Sequence, residues 1–309
     1  MISWDEEGEV MHDDQTADPA TESFVAYRDL LFTVAYEMLG SAVDAEDVLQ
    51  ETWLRWVKVD RDREVDDKAF LARITTRLSL DRLRTLKRRK EAYVGPWLPE
   101  PLLTTPDVAE DVELAESVSM GIMLVLETLT PTERAVFVLR EAFGFDYDEI
   151  AAAVDKSQPA VRQIAHRARR HVEARRPREV TSPTEIKAAA ESFQRAVDTG
   201  DVQGLLDVLA PDVVLVTDGG GLKRAALRPV VGAEKVVRYV AGGIAKADVV
   251  LTAELTVVNG HAAVLLRVDG EIDGVLAMRV QHERITGLYY VRNPEKLTHL
   301  STRTTLNRH

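Results

Sequence analysis

Up to Arg176 the apolar residues of this chain recur at helical spacing, whereas beyond Val249 they come in short runs separated by Asn259-Gly260 and Asp269-Gly270. One period cannot serve both halves, so the sequence requires a helical part followed by a part that contains a sheet. Its 309 residues leave room for about two domains, or three small ones. Proline marks the borders. Three prolines in Gly95-Pro96-Trp97-Leu98-Pro99-Glu100-Pro101 forbid a continuous helix, and Pro177, Ser182 and Pro183 mark a second break. The divisions that follow are a polar, acidic, disordered tail over 1–21, a helical module over 22–93, an extended linker over 94–112, a second helical module over 113–178 and a mixed module over 184–300.

In the last module, helical patterns over Thr184–Thr199, Val202–Leu209 and Ala233–Ala245 accompany strand-like runs at Val213–Thr217, Val249–Val258, His261–Val268, Gly274–His282 and Ile285–Val291. The Asn-Gly and Asp-Gly pairs supply the positive φ of tight hairpins, giving an α+β layout.

A net charge of −12 argues at first against nucleic acid, but phosphate contacts are local and screened beyond about 10 Å, so distribution matters more than the sum. Between Arg73 and Lys90 eight cations face only Asp81, and a second basic block includes Arg162, Arg167, Arg169, Arg170, Arg175, Arg176 and Arg178. Two separated basic helices in an acidic chain point to two DNA contacts. With no cysteine, disulfides, thiol chemistry and cysteine-ligated zinc are excluded. No apolar run approaches the roughly 20 residues of a membrane span, and Met1 to Glu22 lacks the basic start and apolar stretch of a signal peptide, so a cytoplasmic protein without membrane contact is expected.

The second helical module carries a helix-turn-helix. Thr130-Pro131-Thr132-Glu133 combines an N-cap, a first-position proline and a capping-box glutamate. Asp146 can cap a short helix at Tyr147–Val154; a turn follows at Asp155-Lys156-Ser157, with Ser157 as N-cap of a helix over Gln158–Ala174. Val161, Ile164, Ala165, Ala168 and Val172 form its buried stripe. On the other face, Ser157, Gln158, Arg162, Gln163 and His166 can meet base edges while Arg167 and Arg170 meet phosphates. His166 alone supports no catalytic or metal site, and no cofactor is expected.

In the first module the helix over Asp44–Lys58 turns Ala45, Val48, Leu49, Thr52 and Trp56 inward, leaving Asp47, Gln50, Glu51, Leu54 and Arg55 on a face suited to a basic protein partner. The run Ala45-Glu46-Asp47-Val48-Leu49-Gln50-Glu51-Thr52-Trp53-Leu54-Arg55 resembles the core-polymerase-binding segment of extracytoplasmic-function (ECF) sigma factors. Phe70-Leu71-Ala72-Arg73-Ile74-Thr75-Thr76-Arg77-Leu78-Ser79-Leu80-Asp81-Arg82-Leu83-Arg84 looks like that class's promoter −10 helix, and Leu129 to Phe137 followed by the helix-turn-helix is similar to its −35-reading domain. Trp97-Leu98-Pro99-Glu100-Pro101, Asp218-Gly219-Gly220-Gly221 and Asn293-Pro294-Glu295-Lys296-Leu297 look like three signatures of an ECF subfamily, SigJ-like proteins among them, that carries a SnoaL-like C-terminal extension.

The resemblance implies two all-α sigma domains, σ2 and σ4, followed by an α+β NTF2-like cone. It also implies core RNA polymerase as partner, the β′ clamp helices meeting Asp47, Gln50, Glu51 and Leu54 and the β flap meeting σ4. Promoter DNA would meet Arg73, Arg77, Arg82, Arg84, Lys87 and Arg88 at −10, and an extruded base would lie in the loop over about Val59–Lys68. Trp97, Leu98 and Pro99 would pack against Asp218, Gly219, Gly220 and Gly221 and against Asn293, Pro294, Lys296 and Leu297, letting the third domain regulate the other two.

Two other readings remain open on the residues. Cones of this type include enzymes built around an acid–base pair, with Asp212, Asp218, His261, Glu254 and Asp273 as candidates, although spacing assembles no defined pair. A helix-turn-helix with a small-molecule ligand in the C-terminal cone would make a sensor, but a standalone regulator needs neither the second basic helix nor the docking helix.

Overall fold

The computed structural model describes residues 18–59, 66–175, 181–245 and 251–308. The expected tail over 1–21 therefore lies largely outside the described residues, as do most of the Val59–Lys68 loop and Arg176 and Arg178.

The first domain is a three-helix bundle of α1 (Pro19–Leu39), α2 (Ala42–Trp56) and α3 (Asp67–Glu91). Helix α1 starts inside the stretch expected to be tail. Pro19 presets the first helical φ, Ala20 is buried, and the Trp56 indole donates to the Ala20 carbonyl at 2.9 Å. Helix α1 ends on Gly40 at φ 69°, and Ser41 caps α2 by accepting from Asp44 N.

The linker is a correction to the sequence reading. It is not a simple extended spacer: α4 (Pro106–Glu110) forms within it, started by Pro106 and seated by buried Val108. Leu98 and Leu102 are both fully buried. Helices α5 (Val112–Val118) and α6 (Met120–Leu126) lead into α7 (Pro131–Phe137), whose Thr130–Glu133 capping box forms as expected. Helix α7 passes at Val138 into a π turn that runs through Ala142. Helices α8 (Tyr147–Val154) and α9 (Gln158–Glu173) complete the helix-turn-helix, with Asp155 at the turn in the left-handed region at φ 55°.

The third domain packs α10 (Pro183–Thr199), α11 (Val202–Val208) and α12 (Ala233–Ala245) on a six-stranded sheet. Its strands are β1 (Leu209–Asp218), β2 (Val230–Val231), β3 (Leu251–Val258), β4 (His261–Val268), β5 (Glu271–Gln281) and β6 (Arg284–Val291), in the order β2-β1-β6-β5-β4-β3. All neighbours are antiparallel except β1 and β6, a parallel pair that the apolar runs alone do not reveal. Asn259, Gly260, Asp269 and Gly270 all have positive φ, as the hairpin turns require. Phe193, Leu205, Val236, Leu276 and Leu288 fill the space between helices and sheet.

The opposite sheet face does not meet solvent throughout. Leu98 and Met120 pack there against Ala277, Tyr289 and Val291 in a separate small core, and truncating a buried side chain such as Leu98 to alanine costs about 2–5 kcal/mol.

Candidate nucleic-acid interface and interdomain lock

On α9, Val161, Ala165, Ala168 and Val172 are buried and Ile164 packs beside them, so the remaining face turns outward. Arg162, Gln163, His166, Arg167 and Arg170 are exposed, with Ser157 exposed and Gln158 half-buried at the helix start. Ser157 occupies the N-cap position but makes no side-chain cap bond, a correction to the role expected of it. The Arg162 guanidinium lies over the Tyr147 ring at 5.4 Å, and Arg140 approaches the same ring at 4.7 Å. Tyr147 thereby holds Arg162 at the mouth of the turn.

The basic helix α3 divides its cations between uses. Lys87 and Arg88 are exposed and make no ion pair among the described residues. Arg73 stacks on Phe70 at 4.5 Å, and Arg84 pairs with Asp81 at 2.5 Å. Arg82 is not free: its guanidinium bonds Asp44 at 2.6 Å and Asp47 at 2.8 Å. Arg82, expected to meet phosphates, and Asp47, expected to meet a protein partner, are paired with each other here because the bundle brings α2 and α3 together, while Asp47 stays 54% exposed. Gln50, Glu51 and Leu54 are exposed on α2, Leu54 to 51%, with Glu51 bonded to Arg55. Arg77 donates to the carbonyls of Ala152 at 2.9 Å and Ala153 at 3.4 Å, at the C-terminal end of α8, where the helix dipole favours a cation.

The three signature segments meet at one buried site. Asp218, at the end of β1, is fully buried and accepts from the Tyr93 hydroxyl at 2.5 Å, Leu98 N at 2.9 Å and Lys296 Nζ at 2.7 Å. Lys296 Nζ also donates to the Leu98 carbonyl at 2.6 Å and lies 3.3 Å from the Trp97 ring centroid. Burial pushes its ammonium down to about 8, partly offset by the Asp218 charge. Asn293 Nδ2 donates to the Tyr93 hydroxyl at 2.8 Å. Gly220 has φ 61°, and a Cβ there would sit 2.4 Å from Asn293 Nδ2, so only glycine fits. Gly219 is equally closed, by the Lys223 carbonyl, while Gly221 lies against Val94. Pro99 is buried, Leu297 packs on the small core, and Pro294 is exposed.

Other contacts were not visible in the sequence. Asn259, read as turn chemistry, is buried: its Oδ1 accepts from Leu102 N at 2.9 Å, and its Nδ2 donates to Tyr36 Oη at 2.7 Å and the Val118 carbonyl at 2.8 Å. Glu100 reaches the N-terminus of α2, where Ala42 N donates to its carboxylate at 2.6 Å. Glu127 joins two domains, bonding Arg134 at 2.7 Å and Lys90; burial would raise its pKa, but these two cations hold it below the usual carboxylate value. Beyond the third domain's expected limit at 300, Leu306 is buried in the first core, Thr304 N donates to the Leu103 carbonyl at 2.7 Å and Asn307 N donates to Thr33 Oγ1 at 3.0 Å.

The acid–base candidates do not converge. Asp273 is held at about 2 by Arg292, Tyr290 and Lys223 against the opposing effect of burial; Glu254 pairs with Arg267, Asp218 belongs to the lock, and Asp212 is exposed. Burial pushes His261 down to about 4, against a backbone contact at Ala115. Among the described residues no group of three or more His, Cys, Asp or Glu is placed to hold a metal, and no helix is long and apolar enough to cross a membrane.

The sequence matches Sigma-70 region 2 over residues 24–89 and Sigma-70, region 4 over 119–172. It is 35% identical over 288 residues to the ECF RNA polymerase sigma factor SigJ of Mycobacterium tuberculosis, covering 89% of this chain and 92% of that protein. The chain belongs to the ECF sigma factors. A second relative of this family, the probable ECF sigma factor SigI of the same organism, is 31% identical over 283 residues, covering 91% of this chain and 95% of its own. The crystal structure of M. tuberculosis SigJ aligns with a TM-score of 0.71 at 32% identity, covering 90% of this chain and 98% of that one. As an ECF sigma factor the chain is a transcription initiation factor and not an enzyme, and its architecture is two helical sigma domains followed by an α+β domain.

Proposed function

We propose that this sigma factor reads the −35 element with α9 and the −10 element with α3, docks α2 on the β′ clamp helices and σ4 on the β flap, and is restrained by its own third domain. The exposed face of α9 supports the first assignment, with Gln158, Arg162, Gln163 and His166 toward bases and Arg167 and Arg170 toward phosphates. For −10, Arg73, Arg84, Lys87 and Arg88 serve, with Arg82 instead bracing α2 against α3 and Arg77 bracing α3 against α8. Gln50, Glu51 and Leu54 form the docking face.

The observation that carries the restraint is the Asp218–Lys296 pair closed over Trp97 and Leu98. It fixes the linker from the third domain's side while Glu127 and Arg77 hold α3 against σ4. Two DNA contacts coupled by a linker gain from effective concentration only when their spacing fits the promoter, so fixing that spacing controls output. The test is run-off transcription with core polymerase, comparing the full chain with residues 1–180 and with Asp218→Asn. Transcription that depends on the chain, and that changes in rate when the lock is opened, is expected. Identical output from all three would sink the regulatory reading, and failure to bind core polymerase would sink the docking face.

A further inference from the structure

The loop between β1 and β2 carries Lys223-Arg224-Ala225-Ala226-Leu227-Arg228, a basic stretch that the lock does not use up. Lys223 turns inward to Asp273 at 2.9 Å, and Arg292 bonds the same carboxylate. Arg224 and Arg228 turn outward and are exposed, and neither makes an ion pair among the described residues. The loop is seated directly beyond the end of α3. Leu227 Cδ2 lies 3.5 Å from where a Cβ on Gly95 would stand, and Val94 Cβ lies 3.3 Å from the same position on Gly221.

The end of α3 divides its charges in the same way. Lys90 turns inward to Glu127, while Lys87, Arg88 and Arg89 are exposed without an ion pair among the described residues. From Arg88 to Gly95 the chain takes three steps of helix, to Glu91, and four beyond it. At about 1.5 Å per helical residue and at most about 3.6 Å per extended one, Arg88 lies within roughly 19 Å of Gly95, against which Leu227 of the loop packs. That is about half a turn of B-form duplex, whose repeat is roughly 34–36 Å. Glu91 and Glu295 are exposed near this seam, against five exposed cations. Exposed Leu222 and Leu227, at 61% and 67%, lie in the same loop.

We infer that the β1–β2 loop of the third domain is a DNA-backbone contact, with Arg224 and Arg228 extending the phosphate-binding surface of α3 onto the C-terminal domain. The inference rests on the reading of α3 as the −10 helix. Its chemistry is that of two guanidinium groups on duplex phosphates, sequence-independent and dependent on salt. The lock then has a second consequence: by seating the loop against Tyr93, Val94 and Gly95, Asp218 sets where these two arginines stand relative to the end of α3.

The experiment measures anisotropy of a labelled 30-base-pair mixed-sequence duplex bound by the full chain between 20 and 150 mM salt. Removing one cation from a phosphate lowers the slope of log affinity against log salt by about 0.9, so Arg224→Gln/Arg228→Gln is expected to reduce it by about 1.8. Both side chains are exposed, so the thermal unfolding of this variant matches the unsubstituted chain. Arg195→Gln, on α10, removes an exposed cation elsewhere and leaves the slope unchanged. An unaltered slope in the double variant, an equal drop with Arg195→Gln, or no binding by the unsubstituted chain at 20 mM salt overturns the inference. Lys87→Gln/Arg88→Gln is the separate arm: an unchanged slope there counts against the reading of α3, whatever the loop variant does.

Discussion

Lys296 Nζ sits 3.3 Å from the centroid of the Trp97 ring while donating to both Asp218 and the Leu98 carbonyl. The cation is thus satisfied on three sides, and removing it leaves a buried carboxylate without its counter-charge. Breaking such a pair from one side costs about 3–5 kcal/mol, whereas removing both charges costs much less. Lys296→Met is therefore expected to lower stability by that amount, and Asp218→Asn/Lys296→Met by less than the sum of the two single changes. Urea unfolding of the four proteins gives the cycle; additive losses would show that the two residues act independently.

Glu37 makes stability depend on pH. It is buried in α1, accepts from Ser117 Oγ at 2.7 Å, and burial raises its pKa from 4.5 to about 7 against the opposing effects of Ser117 and Arg134. The folded chain therefore binds this proton more tightly than the unfolded one. Its contribution is fully present below about 4.5 and is lost as pH rises through about 7. At 1.36 kcal/mol per pKa unit the loss is about 3 kcal/mol, and Glu37→Gln should restore it at pH 8 while changing little at pH 4.5. Urea midpoints at the two pH values, equal in their difference for both proteins, would refute the assignment.

Asn259 fastens Leu102, Tyr36 and Val118 at once, from a turn with φ 52°. Asn259→Ala leaves a buried N–H and a buried carbonyl without partners, at about 1–3 kcal/mol each. Hydrogen exchange is expected to rise at Leu102 and at the end of α5, away from the turn itself. Exchange confined to the β3–β4 hairpin would mean that the side chain serves only the turn.

Tyr147 positions Arg162 by stacking. Tyr147→Leu keeps an apolar side chain but removes the aromatic face, and a cation over such a face is worth about 0.5–1 kcal/mol at an exposed site. We expect a two- to five-fold loss of −35 binding, against a larger loss for Arg162→Ala if that residue reads a base. Quantitative footprinting of the holoenzyme on a promoter separates the two, and an unchanged affinity for Tyr147→Leu would leave Arg162 self-positioned.

The helices of both sigma domains were legible because local signals agree with the fold. The capping box at Thr130 and the stripe Val161–Ala165–Ala168–Val172 both formed. The meeting of the three signature segments came from resemblance, since nothing in the spacing of Asp218, Lys296 and Trp97 brings them together. Asn259 was hidden because a buried three-way node and an ordinary hairpin turn demand the same Asn-Gly pair. Arg82 and Asp47 each looked like a surface charge, and only the packing of α2 on α3 made them partners. Pairings across 35 residues or more, like the parallel placement of β1 beside β6, are set by tertiary packing that no local period records.

The contact between Asn307 and Thr33 spans 274 residues, and buried Leu306 lies beside it in the first core. At a ribosomal rate of about 5–20 residues per second, α1 emerges roughly 14–55 seconds before this segment is made. For most of that interval the nascent chain carries a complete σ2 sequence whose seat for Leu306 is still empty. A newly synthesised molecule therefore passes through a period in which its first helical domain exists before the C-terminal segment that packs on it, and the speed of translation sets how long that period lasts.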